Sequence, residues 1–566
     1  MKKKIIPVLI AIALIVVVGV VGFGAQILDR FSYSKEHYDM TVYFENSSES
    51  DAAIILGHSF MEERAYFYDD MYYVDIEFLH TYLNDDFYVD EVEDKLIYVL
   101  PEDVIITDIG SYDYYSQYGS SEDSFSYQLC RVEKDTLIVA LDYVSKFSNF
   151  EYQTFGDPKR VQIINSWPEV SVASVKKDTA VRHRGGIKEE ILKDLKAGDK
   201  VTVIESMEEW SKVITDDAII GYVENKRLND AIAELPIPVD NFNPQYTSQV
   251  RDHKINMGWH AVAGIGGNDT LEEVVRNTKG LNVIAPTWFI LSDNQGGFTS
   301  YASASYVTRA HNMGLEVWAV LNNVDSTAGV DMDELLSAYG NRQNLVSSLM
   351  KEVLTNGIDG INVDIEMLPT SAGRDFAEFI RELSVECRKN GIVLSVDNYV
   401  PIGNTNYYDR KTQGKVADYV VIMGYDEHYA GSAEAGSVAS IGYTETGIVN
   451  TLDEVPAEKI INGIPFYTRL WTIEGTNLSS TAMDMPSINE WVANHNMTLT
   501  WDEATCQNYG ELTSGAKTYK LWMEDAESIQ VKLNVMNNYG IGGVAEWRLG
   551  YETPDIWNVI SEYMAK

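Results

Sequence analysis

Cysteine is scarce in this 566-residue chain, with three residues, Cys130, Cys387 and Cys506, set far apart. There is no CxxC pair and no zinc-ligand spacing, which excludes a thiolate metal site and gives no disulfide framework. Cys387 falls on the apolar face of an expected helix and reads as a small buried hydrophobe. Positive charge is the second shortage: 44 Lys and Arg stand against 85 Asp and Glu, a formal net charge of −41. A chain that acidic is repelled by phosphate backbones, so general nucleic-acid binding is excluded. Proline is also sparse, and three of the 14, Pro236, Pro238 and Pro244, fall in one polar stretch that reads as a linker over 231–250.

Long apolar runs are missing except at the N-terminus. There, Lys2, Lys3 and Lys4 precede an uncharged stretch from Ile5 to about Leu28. About 20 apolar residues span a bilayer, whereas a cleavable signal core is about 7–15. No clean small-x-small cleavage site precedes Asp29, so 1–30 reads as a signal anchor, a transmembrane helix with the basic side in the cytoplasm. The chain is then a single-pass protein of the cell membrane with its bulk outside, or a secreted protein if the segment is cleaved as a signal peptide. A composition of 45% hydrophobic and 23% charged residues is ordinary for globular domains, and the length accommodates roughly three or four of them.

From 38 to 165 the chain is acidic and rich in tyrosine. Alternating segments such as Met71–Ile76, Lys95–Leu100 and Asp135–Leu141 read as strands, with short helices over Ile76–Leu83 and Leu141–Phe147. This small α+β stretch resembles the N-terminal domain of copper amine oxidases, a stalk-like module; no metal-ligand spacing accompanies it, so no copper is carried over. Over 168–230, short β segments alternate with Gly and Asp turns: Ala180-Val181-Arg182, Gly198-Asp199-Lys200-Val201, Trp210-Ser211-Lys212-Val213 and Gly221-Tyr222-Val223. Their order is similar to all-β bacterial SH3 domains, which implies a cell-wall peptide as partner, with a structural spacer as the alternative.

Over 251–566, eight strand-like runs recur, most followed by a helical stretch: Lys254–Val262, Leu281–Ile290, Gly314–Val320, Asp359–Glu366, Ile392–Asp397, Tyr419–Tyr425, Lys459–Phe466 and Ile541–Trp547. Phe376, Phe379, Ile380, Leu383 and Cys387 mark one helical stripe, closed by Asn390-Gly391. This alternation argues for a (β/α)8 TIM barrel, with its chemistry at the C-terminal ends of the strands. The fourth run reads Asp359-Gly360-Ile361-Asn362-Val363-Asp364-Ile365-Glu366. Strand periodicity puts Asn362, Asp364 and Glu366 on one face and the isoleucines and valine on the other. A line of buried carboxylates costs several kcal/mol unless relieved, so a purely structural role is a poor account of it. A calcium loop competes, but its glycine is misplaced and alternating Ile and Val do not suit a tight loop.

The segment resembles the DGxDxDxE signature of glycoside hydrolase family 18, chitinases and peptidoglycan N-acetylglucosaminidases, with Asp359 and Gly360 as its structural start. Met423-Gly424-Tyr425-Asp426 and Ala545-Glu546-Trp547 match supporting features, and Trp547-Arg548-Leu549-Gly550 looks most like the spore-cortex branch. One departure stands out: Asn362 replaces the usual middle Asp, removing an acid that could share a proton with Asp364. The resemblance implies substrate-assisted retaining hydrolysis of a polysaccharide containing N-acetylglucosamine, with no metal or cofactor. Glu366 is the implied general acid and base, Asp364 orients the 2-acetamido group and raises the Glu366 pKa, Tyr425 donates to the acetamido oxygen, and Trp547 floors the cleaved sugar. Asn362, Met423, Asp426, Trp288, Asn398 and Tyr399 are further substrate-side candidates; His428 reads equally as packing. Peptidoglycan or spore cortex is the expected substrate of this exported chain. A chitinase or chitooligosaccharide hydrolase is the alternative, and a non-catalytic sugar-binding protein is a third reading that the presence of Glu366 opposes.

Overall fold

The computed structural model describes residues 2–119, 122–324, 329–403 and 405–566, with the side chains of 2–8, 22–29 and 122 left aside. Two compact units result, one of 1–87, 107–114 and 123–243, the other of 88–106, 115–122 and 244–566.

In the first unit, a 30-residue helix covers Lys2–Phe31. Among the described residues no helix is long and apolar enough to cross a membrane. The expected anchor depends in part on the side chains of 2–8 and 22–29, which lie outside that description. Two seven-stranded sheets follow. One contains the expected strands as Met71–Asp75 and Thr136–Ala140, the other is antiparallel and spans the SH3-like stretch. Phe44, Ala53 and Ile55 share one hydrophobic cluster with Val181, Leu192, Val213 and Val223. The two stretches that composition separates at 165 therefore have a joint core.

The second unit is built on an eight-stranded parallel barrel: β1 Ile255–His260, β2 Val283–Pro286, β3 Glu316–Asn322, β4 Gly360–Asp364, β5 Val393–Tyr399, β6 Tyr419–Met423, β7 Ile460–Pro465 and β8 Gly543–Trp547. Each pairs in parallel with its neighbours, and β8 closes on β1. Every expected barrel strand is present, with ends shifted by a few residues; β3 and β5 each run two residues further than expected, to Asn322 and Tyr399. Trp259, Ala285, Trp318, Val320, Tyr419, Val421 and Ala545 fill the interior. Ile361, Val363, Leu394, Val396, Val420 and Ile422 face the helix layer. Gly360 is required by this interior, because a Cβ there would meet the Trp318 ring at 2.6 Å. Between β7 and β8 a five-stranded antiparallel sheet over Tyr467–Trp522 is inserted, with a helix at Met485–His495.

Residues 88–106 and 115–122, which lie inside the 38–165 stretch, group in one compact unit with the barrel. The physical reason is a buried polar joint. Arg342, fully buried, pairs with Glu382 at 2.9 Å and lies 3.6 Å from Asp90, while its guanidinium covers the Tyr88 ring. Tyr88 Oη donates to Asp375 at 2.8 Å. Charges this deep hold only with such partners.

Candidate active site

The fourth strand carries its carboxyl line to the barrel mouth. Asp364 ends β4, and two residues later Glu366 stands clear of the ladder. Its backbone is clamped by Asn323, just past β3: the Asn323 amide donates to Glu366 O at 2.9 Å and accepts from Glu366 N at 2.9 Å. Its side chain receives the Tyr399 hydroxyl on Oε2 at 2.9 Å. The same hydroxyl oxygen accepts from Met367 N at 3.1 Å, and Met367 turns the chain away with a φ of 50°. A left-handed non-glycine residue at this point is strain of the kind concentrated at functional sites. Burial, then the Glu366 carboxylate, pushes the Tyr399 hydroxyl far above its ordinary pKa, so it stays a donor.

Beneath Glu366, Asn362 is fully buried. Its carbonyl accepts from Trp259 Nε1 at 3.0 Å, and its amide donates to Ser395 Oγ at 3.0 Å and Asp397 Oδ1 at 2.7 Å. Asp397 is 1% exposed, and its Oδ2 has no hydrogen-bond partner among the described residues. Burial, then the neighbouring Asp364 carboxylate, pushes the Asp397 carboxyl well above its usual range; the Asn362 bond opposes this and Glu366 adds to it. Tyr425, past the end of β6, packs edge-on to Trp259. Burial, then Asp364 and Asp397, hold its hydroxyl protonated. Trp547 closes β8 with its ring 5.9 Å from that of Trp259.

A cleft of about 420 Å³ opens beside Trp547, lined by Thr287, Asp426, Tyr467, Arg469, Arg548 and Tyr551 among others. Asp426, with a φ of 57°, accepts from Tyr467 Oη at 2.6 Å and faces Arg469 at 3.7 Å. Arg548 donates to Tyr551 Oη at 2.6 Å and lies over that ring. Burial and the nearby Arg548 charge lower His260 to a pKa of about 4, which keeps it neutral.

The structure thus gathers Asn362, Asp364, Glu366, Met423, Tyr425, Tyr399, Asp426 and Trp547 at the mouth or just below it. Two expected residues lie elsewhere. Asn398 alternates onto the helix-facing side of β5, 1% exposed, and exchanges hydrogen bonds with Gln413 at 2.6 and 3.2 Å. Trp288 is fully buried, with Nε1 donating to Asn268 at 2.8 Å and its ring against Tyr306. The placement of Asn398 follows from strand alternation; Trp288 lies between Val283–Pro286 and Phe289–Leu291, outside the ladder, and packs into the cluster under the helix layer. Asp359 sits at the other end of β4, accepting from Val317 N at 2.8 Å and bonding His311 at 2.7 Å, a structural role. His428 bonds the Ser437 carbonyl at 2.8 Å and packs on Gly436. Sequence reasoning missed Asn323 and Asp397. Counting back by two from Tyr399 along its strand finds the second.

Residues 268–552 match the family model of glycosyl hydrolases family 18, and 177–229 match that of the bacterial SH3 domain. The chain is similar to an uncharacterized glycosylase of Bacillus subtilis, 26% identical over 50% of this chain and 84% of that protein. It is also similar to the cortical fragment-lytic enzyme of the same organism, 25% identical over 45% of this chain. It spans 61% of the latter's length and 53% of that of a further B. subtilis glycosylase. Among solved structures, a Chromobacterium violaceum chitinase superposes with a TM-score of 0.50 at 22% identity, over 55% of this chain and 99% of that one. The Bacillus cereus spore cortex-lytic enzyme gives 0.50 at 20%, over 59% and 78%. These two likenesses speak for the fold.

Proposed function

Because the chain belongs to glycosyl hydrolases family 18, we propose that it is a retaining glycosidase that cleaves β-1,4 bonds after N-acetylglucosamine in peptidoglycan or spore cortex. The observation that carries this reading is Glu366, held at the barrel mouth by Asn323 and Tyr399 above a buried carboxyl system. Glu366 protonates the glycosidic oxygen, the bond from that oxygen to C1 breaks, and the carbonyl oxygen of the sugar's own 2-acetamido group bonds to C1. Asp364 accepts from the acetamido N–H and bears the charge opposite the resulting oxazolinium. Tyr425 donates to the acetamido oxygen. Water then attacks C1 as Glu366 takes its proton, the bond from C1 to the acetamido oxygen breaks to regenerate the 2-acetamido group, and the configuration is retained.

The cleft beside Trp547 supports a wall glycan over chitin. Chitin is uncharged, whereas peptidoglycan alternates N-acetylglucosamine with a sugar bearing a lactyl carboxylate. Arg469 and Arg548 bring two guanidiniums to this cleft in a chain of net charge −41, and Arg548 has no carboxylate partner among the described residues. The N-terminal apolar run supports retention at the membrane with the barrel outside, and the SH3-like stretch supports binding of a wall peptide. The resemblance of 38–165 to copper amine oxidase N-terminal domains supports a stalk role.

The test is digestion of purified peptidoglycan and, separately, chitooligosaccharides by the full chain, with products read by mass spectrometry. Fragments ending in reducing N-acetylglucosamine from peptidoglycan support the reading. Turnover of chitooligosaccharides alone replaces it with a chitinase, and binding without turnover replaces it with a sugar-binding protein.

A further inference from the structure

We propose that Asp397, on the fifth strand, supplies Asp364 with the shared proton that the family signature assigns to residue 362, and so acts as a positioning residue for the reaction. The inference rests on the glycosidase reading and adds to it a residue that the signature does not contain.

The orientation of the Asn362 amide is fixed by its partners. Indole Nε1 can only donate, so the bond from Trp259 at 3.0 Å identifies the accepting atom of Asn362 as its carbonyl oxygen. The Asn362 amide nitrogen is therefore the atom facing Asp397, and Asp397 Oδ1, at 2.7 Å, is an acceptor. Any proton on this carboxyl sits on Oδ2, the atom that has no protein partner among the described residues. A fully buried carboxylate with one amide donor and two acidic neighbours is too costly to keep ionised, so the proton stays.

The groups facing this carboxyl come from three strands. Val363 of β4 pairs in parallel with Val396 of β5, which makes Asp364 and Asp397 the next positions in register on adjacent strands; Glu366 follows on from β4, Asn362 and Ser395 bracket the carboxyl from β4 and β5, and Tyr425 lies beyond β6. None is cationic, so a proton is what moderates repulsion between Asp397 and Asp364. The proton balance is simple. Asp397 holds its proton while Asp364, ionised, accepts from the acetamido N–H. The proton given to the glycosidic oxygen comes from Glu366 and is returned to it from water. Asp397 neither gains nor loses a proton over the cycle, and shares its own more closely with Asp364 when the oxazolinium is absent. Asn362 cannot hold a proton in this way, but it orients the acid that does.

Three variants of the full chain test this: Asp397→Asn, Asn362→Asp, and the double exchange. Asp397→Asn keeps the shape and removes the acid, and is expected to lower kcat roughly tenfold or more with a small change in KM and to alter the pH profile. Its melting temperature should equal or exceed that of the wild type, which separates the effect from misfolding. The double exchange, which returns the acid to the signature position, should recover most of the lost kcat. Difference infrared spectroscopy gives a readout that needs no turnover: the wild type minus Asp397→Asn difference spectrum at neutral pH should show the loss of one protonated-carboxyl carbonyl band, that of Asp397, while the band of buried Glu546 is common to both proteins and cancels. Retention of that band, an unchanged kcat and pH profile in Asp397→Asn, or failure of the double exchange to recover activity would each overturn the proposal. If the wild type hydrolyses no substrate while the band behaves as expected, the glycosidase reading fails and the proton assignment stands.

Discussion

Tyr399 reaches from the end of the fifth barrel strand to the end of the fourth and donates its hydroxyl to Glu366 Oε2 at 2.9 Å. A hydrogen bond to a charged group contributes about 1.5–3 kcal/mol. Tyr399→Phe keeps the ring against Tyr408 and removes only this bond and the one accepted from Met367. The expected outcome is a fall of roughly ten- to a hundredfold in kcat with KM little changed, read by steady-state kinetics. An unchanged kcat would mean that the hydroxyl has no part in positioning Glu366.

Arg548→Gln tests the choice between wall glycan and chitin. The variant should raise KM on a muramyl-containing glycan by about tenfold, equivalent to about 1.4 kcal/mol, and leave KM on chitooligosaccharides unchanged. A parallel loss on both substrates would assign Arg548 to holding Tyr551 rather than to reading a carboxylate.

Gly360→Ala places a methyl 2.6 Å from the Trp318 ring inside the barrel. Overpacking of this kind costs about 1–3 kcal/mol, so a lower midpoint in chemical denaturation is expected, with an unchanged slope.

Glu546 carries a pH signature. It is fully buried on β8, neither carboxyl oxygen has a hydrogen-bond partner among the described residues, and burial, then nearby Glu552, pushes it well above its ordinary value. The folded chain therefore keeps a proton here that the unfolded chain releases above about pH 4. Stability from this group is full below that pH and falls as pH rises toward the folded-state value, by about 1.4 kcal/mol per pH unit. Glu546→Gln removes the titration, and its melting temperature should exceed that of the wild type increasingly from pH 5 to 8. A constant difference across that range would contradict the sign.

Strand periodicity made most of this site legible in the sequence. Asn362, Asp364 and Glu366 alternate against Ile361, Val363 and Ile365, so their face and the barrel that needs it follow from the same eight residues. The same rule, applied through to Val393–Tyr399, separates Asp397 and Tyr399 from Asn398; choosing residues by type alone brought in Asn398 and passed over Asp397. Asn323 and the joint of Arg342 with Tyr88 and Asp90 depend on contacts between residues distant in the chain, which local pattern does not encode.

In the proposed reaction Glu366 is the acid and base of a glycosidase acting after N-acetylglucosamine. The most direct measurement compares the wild type with Glu366→Gln on purified peptidoglycan, products being identified by mass spectrometry. Reducing-end N-acetylglucosamine fragments are expected from the wild type, with a rate lower by roughly 10²–10⁴-fold in the variant. Equal release by both proteins would contradict it.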